Sequence, residues 1–397
     1  MILFYILATL LIFLSYKSFR GGINYLNYFK SELAEPRSGF TPFVSIIAPC
    51  KGLDEGLREN LSMLLIQEYP EYEVIFVVDD QNDAAAPIIE DISRKAATIA
   101  KGVVASKTRG SAQKIENLRE GILHVSGRSE VFVFVDSDAR PAKDWLRNLV
   151  APLENKDLGA ATGYRWFISK TPGFASEMRS VWNASVASAL GQNMKSNFCW
   201  GGSTAMTREV FERLDVREKW LGTLSDDFTL TRILNDAGMS IYFVPKALTA
   251  SVENCTFREL LEFTTRQMKI TRVYRPDLWK MSFFGSGLFN VVWIWLILIL
   301  VFASVNSFAF WTAVATLVVV SIFSIGKSWL RLMAVRLVFT EYEKELKLQF
   351  WPQNTLWLLS PALFFYNAFS ALVSRRITWR GIRYELKSAR ETVIISK

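Results

Sequence analysis

The feature that most restricts what this chain can fold into is the stretch from Phe283 to Val305, which carries no charged side chain. As a helix it extends about 30 Å, the thickness of a bilayer core, where backbone groups must find their partners within the structure. Phe308 to Ile325 and Leu356 to Val373 are two more uncharged spans, the last interrupted by Pro361. Met1 to Tyr16 is slightly short, equally free of charged side chains, and followed by Lys17 and Arg20. It lacks a basic leader and an obvious small-residue cleavage site, so it reads as an uncleaved anchor rather than a signal peptide. With the first positive charges on its C-terminal side, the positive-inside rule puts the chain from Lys17 to about residue 280 in the cytosol.

The expected organisation is therefore an N-terminal anchor over 1–20, a cytosolic domain over 40–275, a transmembrane region over 280–375 and a basic tail over 376–397. Gly21 to Phe40 reads as a linker or interfacial segment. The last span sets two rules against each other. Counting spans puts the C-terminus outside, whereas Arg375, Arg376, Arg380 and Arg383 favour the inside. A broken or re-entrant segment would reconcile them. The net charge of +8 lies largely in juxtamembrane segments and the tail, which suits an anionic membrane surface better than nucleic acid. Cys50, Cys199 and Cys255 make no metal-ligand pattern, and the single histidine, His124, offers neither a zinc site nor a histidine-based triad. Acid–base chemistry here must use carboxylates.

Within the polar domain, Phe43 to Pro49 reads as a first strand, Leu53 to Gln67 as a helix and Tyr72 to Val78 as a second, buried strand ending in Asp79 and Asp80. This alternation predicts an α/β domain with parallel strands. Val131 to Val135 is a third apolar run, and it enters Asp136-Ser137-Asp138 directly. Residues two apart on a strand share a side, so Asp136 and Asp138 can face one pocket. A hard divalent cation takes such oxygens together with substrate phosphates, while an ordinary acidic turn is the bland alternative. Ligands of open sheets bind beyond the carboxyl ends of the strands, which puts both acidic clusters on one rim. Lys114 opens a helix after a Gly-Ser loop, where a cation is disfavoured unless it meets an anion such as a phosphate.

The segments VSIIAPCKG, EVIFVVDD, SAQKIENL, VFVDSD, TLSDDFTL and TRQMKI, in this order and spacing, resemble the family 2-type glycosyltransferases with the GT-A fold, most like their ceramide glucosyltransferase branch. The likeness covers about residues 40 to 275. It implies a Rossmann-like mixed sheet that binds a nucleotide sugar, with transmembrane helices on both sides. It also implies that Asp80, assisted by Asp79, accepts a hydrogen bond from the nucleotide base, and that Lys114 lies near the nucleotide. Asp136 and Asp138 correspond to the motif holding the ribose and a divalent metal, Mn or Mg, on the diphosphate. Asp227 corresponds to the catalytic base. Trp200 and Gly202, in an aromatic and glycine-rich stretch, fall near the sugar and acceptor.

One motif departs from the family pattern. Where the family has Gln or Arg, two variable residues and Arg-Trp, this chain has Arg266, Gln267, Met268, Lys269 and Ile270. Arg266 and Lys269 share a helix face and can still meet a diphosphate, or equally rest on anionic headgroups. The missing Trp and the small number of spans argue against a processive polysaccharide synthase. The expectation is a membrane-integrated, inverting, metal-dependent enzyme that moves one sugar, from UDP-glucose or a similar donor, to a lipid hydroxyl. Ceramide is the acceptor the resemblance suggests. A hopanoid, carotenoid or diacylglycerol satisfies the same physics, and a catalytically inactive scaffold is the rival from another class.

Overall fold

The computed structural model describes residues 1–36, 38–96 and 99–396. The chain divides into two compact units. One comprises Met1–Lys30, Thr171–Ser188 and Cys255–Ser374, and the other Ser31–Lys170, Ala189–Asn254 and Arg375–Lys397.

The second unit is built on strands β1 (Val44–Pro49), β2 (Tyr72–Val78), β3 (Ala100–Val104), β4 (Val131–Phe134), β5 (Leu158–Thr162), β6 (Arg165–Ile168), β7 (Thr204–Thr207), β8 (Ser240–Phe243) and β9 (Thr249–Val252). Seven of them form one sheet in the order β3-β2-β1-β4-β7-β5-β8. All neighbours run parallel except β7, which is antiparallel to both β4 and β5. β6 and β9 pair parallel in a small second sheet. Helices cover a parallel sheet on both faces, so its strands are continuous apolar runs, and every residue of β1 and β4 is buried. The helix Gln113–Leu123 lies so close to β1 and β2 that a Cβ on Gly121 would sit 2.7 Å from Ile47 Cγ2. This is the Rossmann-like mixed sheet expected from the sequence.

The segment expected to be a basic tail has a different structure over its described residues, with Lys397 outside them. It forms an antiparallel sheet of β10 (Arg376–Trp379), β11 (Ile382–Ser388) and β12 (Glu391–Ser396), and belongs to the compact unit that holds the main sheet. Period-two alternation is the reason: Ile382, Tyr384 and Leu386 are buried while Arg383 between them is exposed. A basic composition hid a half-buried strand. The domain expected to be continuous over 40–275 also gives up two helices, Phe174–Ala187 and Phe257–Tyr274, which group with the helical unit.

In the helical unit, Ile2–Ala34, Pro276–Phe302 and Phe308–Arg336 are helices long and apolar enough to cross a membrane. Phe350–Leu358 and Ser360–Val373 form a pair bent by 59°, a broken span or re-entrant loop of the kind the conflicting topology rules required. Phe4, Val292, Leu296 and Val320 pack together, while Ile294, Val301, Phe302 and Ile322 are exposed, as side chains facing lipid would be. The first helix runs on through residues expected to be a linker. A Cβ on Gly22 would lie 3.3 Å from the Lys327 backbone, so the glycine lets the two helices cross closely.

Gly163, between β5 and β6, has no such slack, since a Cβ there would lie 2.0 Å from the Ala247 carbonyl oxygen. We expect Gly163→Ala to destabilise the protein by about 3 kcal/mol, because backbone cannot yield as a side chain does. Thermal unfolding of the two proteins side by side measures this.

Candidate active site

β1, β2 and β4 run parallel in register, so Cys50, Asp79 and Asp136 all leave the sheet at one rim. The β2 cluster is occupied by lysines. Lys51 Nζ lies 2.6 Å from Asp79 Oδ2, and Lys107 Nζ lies 2.6 Å from Asp80 Oδ2. Asp80 also accepts from the Asn82 N–H at 3.0 Å, which turns the chain back toward the next helix. Asp79 is buried, and its Oδ1 has no hydrogen-bond partner among the described residues.

The β4 cluster is denser. Lys114, in the first turn of the Gln113–Leu123 helix, reaches Asp136 Oδ1 at 2.6 Å and Asp226 Oδ1 at 2.9 Å. Arg165, first residue of β6, donates to Asp138 Oδ2 at 2.8 Å and to Asp136 Oδ2 at 3.2 Å. Burial works against the charge on Lys114, but Asp136 and then Asp226 outweigh it and hold the ammonium above its ordinary range. Burial raises the carboxyls of Asp136 and Asp226, with Lys114 pulling the other way. For Asp138 burial is again the largest influence, yet Arg165 and Arg380 overcome it and keep this carboxyl below the usual range.

The doublet after β7 splits into two roles. Ser225 caps the helix Asp226–Asp236, its hydroxyl accepting from the Phe228 N–H at 3.3 Å. Asp226 is buried against Lys114, whereas Asp227 is partly exposed, its Oδ1 accepting from the Ser225 hydroxyl and, at 2.7 Å, from the Phe228 N–H. Gly201 fits this crowding because a Cβ there would meet Asp226 Oδ2 at 2.3 Å and Lys114 Nζ at 2.6 Å. Trp200 is buried, with the Arg165 guanidinium 4.7 Å from its ring centre. Gly202 leaves room for that indole, since a Cβ would lie 2.2 Å from it.

The structure therefore brings Lys114, Asp136, Asp138, Trp200 and Asp227 together around one rim, with Asp79 and Asp80 at the neighbouring strand end. Arg266 and Lys269 belong to the helical unit, on the Phe257–Tyr274 helix with its Thr256–Glu259 capping box. The Arg266 guanidinium stacks 5.6 Å over Phe263, and half-burial lowers the Lys269 ammonium below its ordinary range. That helix is fastened to Ser360–Val373 by the Asn367 side chain, which accepts from Thr264 and Thr265 at 3.2 and 3.0 Å.

A hard dication fits the β4 cluster chemically. Three carboxylates, Asp136, Asp138 and Asp226, are paired with Lys114 and Arg165, Asp227 adds its charge nearby, and Asp138 Oδ1 is buried without a hydrogen-bond partner among the described residues. Among the described residues no group of three His, Cys, Asp or Glu side chains forms a metal cage. A cation carried on a diphosphate needs only one or two protein carboxylates.

The family described as glycosyl transferase family 21 matches residues 7–392. This chain belongs to glycosyl transferase family 21. Over 181 residues the family 21 chain is 27% identical to the ceramide glucosyltransferase of Candida albicans, covering 41% of this chain and 31% of that protein. Over 201 residues it is 22% identical to ceramide glucosyltransferase 3 of Caenorhabditis elegans, covering 50% of this chain and 43% of that protein. It thus spans less than half the length of these curated relatives. A solved mannosyltransferase, PcManGT from Pyrobaculum calidifontis in complex with GDP-Man and Mn2+, is similar with TM-score 0.45 and 20% identity, covering 91% of this chain and 99% of that one.

Three residues of this family 21 site escaped sequence reasoning. Asp226 had a visible signal in the Asp-Asp doublet, but only one member was taken up. Arg165 had none, because an arginine opening a strand looks like any solvated surface residue. Asp54 lies in a loop and accepts from the Ser137 hydroxyl at 2.6 Å. Lys114→Met would strand two buried carboxylates, and we expect a loss of about 3–5 kcal/mol. Adding Asp226→Asn should recover part of it, and a double-mutant cycle in thermal unfolding checks the coupling.

Proposed function

We propose that this family 21 chain transfers a single sugar from a nucleotide-sugar donor, UDP-glucose or a similar compound, to the hydroxyl of a membrane lipid. The observation that carries the proposal is the convergence of Asp136, Asp138 and Asp226 with Lys114 and Arg165 at the carboxyl edge of the sheet, with Asp227 adjoining Asp226. Ceramide is the favoured acceptor, since both curated relatives named above are ceramide glucosyltransferases. The helices long enough to cross a bilayer support an acceptor that arrives from the leaflet, with the sheet domain on the cytosolic side.

In this reading Asp79 and Asp80 receive the nucleotide base, with Lys51 and Lys107 holding their carboxylates in position. Lys114 neutralises Asp136 and Asp226 and lies beside the nucleotide, while Asp136 also serves the ribose. Asp138 and Asp136 would hold a divalent metal, Mn or Mg, on the diphosphate, and such a cation when bound neutralises charge on the leaving group. Trp200, kept in position by Gly202, shapes the acceptor side.

Asp227 is the base. Of the doublet, it is the member with an accessible side chain, and Ser225 and the helix N-terminus fix its orientation. It takes the proton of the lipid hydroxyl as that oxygen bonds to the anomeric carbon. The bond from that carbon to the nucleoside diphosphate breaks with its electron pair, and the anomeric configuration inverts.

Asp227→Asn is expected to lower transfer by about 10²–10⁴-fold while leaving donor affinity nearly unchanged. Equal loss of binding and transfer would rule out the base assignment. Asp138→Ala should weaken donor binding with Mn2+ present and matter little when the metal is chelated, which calorimetric titration resolves. Incubating membranes with labelled nucleotide sugars and weighing the lipid products tests the reading as a whole. A product carrying many sugars, or none from any donor, contradicts it.

A further inference from the structure

The C-terminal sheet carries a cation beside the site that the reaction described above leaves unused. Trp379 pairs with Ile382, so β10 and β11 are joined by only Arg380 and Gly381, with φ of 50° and 79°. Two-residue loops of this kind favour Asn-Gly, because the first position is left-handed and a long side chain is disfavoured there. An arginine held in that conformation points to a use for its side chain.

Its guanidinium donates to Asp54 Oδ1, and Asp54 Oδ2 accepts from Ser137, the middle residue of Asp-Ser-Asp. Arg380 is 37% exposed where Asp54 is 7% exposed, so its side chain stays partly accessible while serving its partner. Its charge also reaches Asp138, second only to Arg165 among the cations that lower that carboxyl. The hairpin is anchored next to catalytic elements. The Gln113 N–H, one residue before Lys114, donates to the buried Tyr384 hydroxyl at 3.2 Å. Gly222, shortly before the Asp226–Asp227 doublet, admits the Arg390 carbonyl oxygen to within 2.6 Å of where a Cβ would stand.

We propose that Arg380 is a donor-binding residue, whose guanidinium grips the diphosphate of the nucleotide sugar beside Asp138. The planar fork suits phosphate oxygens, which it can meet in pairs while Asp54 steadies its other edge. The inference rests on the reading of the rim as a nucleotide-diphosphate site. It makes the C-terminal hairpin part of the active site and no longer a tail.

The test uses the full-length protein in detergent, titrated with UDP and separately with UMP, each with Mn2+. Arg380→Gly and Arg380→Asn both suit a left-handed position, and each is paired with Asp54→Asn so that no buried carboxylate is stranded and the hairpin stays folded. Both variants should bind UDP roughly tenfold more weakly, the loss of one charge-assisted contact, and UMP nearly as the wild type does. An unchanged ratio of UDP to UMP affinity in both variants would show that Arg380 is only the counterion of Asp54. Failure of the wild type to bind UDP, ADP or GDP would instead overturn the nucleotide-sugar reading itself.

Discussion

The Lys114 ammonium, held between Asp136 and Asp226, is the contact on which the rest of the site depends. It joins the end of β4, the start of the helix that precedes β4 in the chain and the start of the distant helix Asp226–Asp236. Buried ion pairs add little net stability, because desolvation offsets much of the attraction, but losing one partner leaves a charge with nowhere to go. The arrangement is therefore specified more than it is stabilised. It also explains why residue 201 is glycine, since any Cβ would displace the ammonium or the Asp226 carboxylate.

Arg165 repeats the logic for the other carboxylates. The β6 strand delivers it to Asp136 and Asp138, and the Trp200 indole beneath it supplies an apolar floor. Together the two cations let four carboxylates share a small volume while leaving negative charge to spare. Asp138 Oδ1 is left buried with no hydrogen-bond partner among the described residues. Asp227 sits at the edge of the same cluster on the same helix as Asp226, but its Oδ1 is held by the Ser225 hydroxyl and the Phe228 N–H and not by Lys114.

Much of this was legible in the linear chain. The runs leading into Asp79 and Asp136 contain almost nothing but residues that favour a buried strand, and their boundaries follow from the acidic residues that end them. The long uncharged spans announced themselves by length, and Pro361 marked where the last one bends. Other features left weak traces. The Gly21-Gly22 pair looked like a linker, yet in the structure it continues the first helix past Lys327. The arginines after residue 374 looked like a basic tail, although the alternating Ile382, Tyr384 and Leu386 carried the strand signal between them.

The sequence by itself determined the class of fold, the apolar spans and the acidic residues at the strand ends, because burial and periodicity are local properties written into neighbouring residues. The tertiary structure alone decided which cation meets which carboxylate. Lys114 with Asp226, Arg165 with Asp136 and Asp138, and Arg380 with Asp54 are pairings between segments widely separated in the chain. A charged side chain reads the same in sequence whether it is solvated or buried. Only sheet register and hairpin docking choose its partner, and in this protein those choices assemble the site.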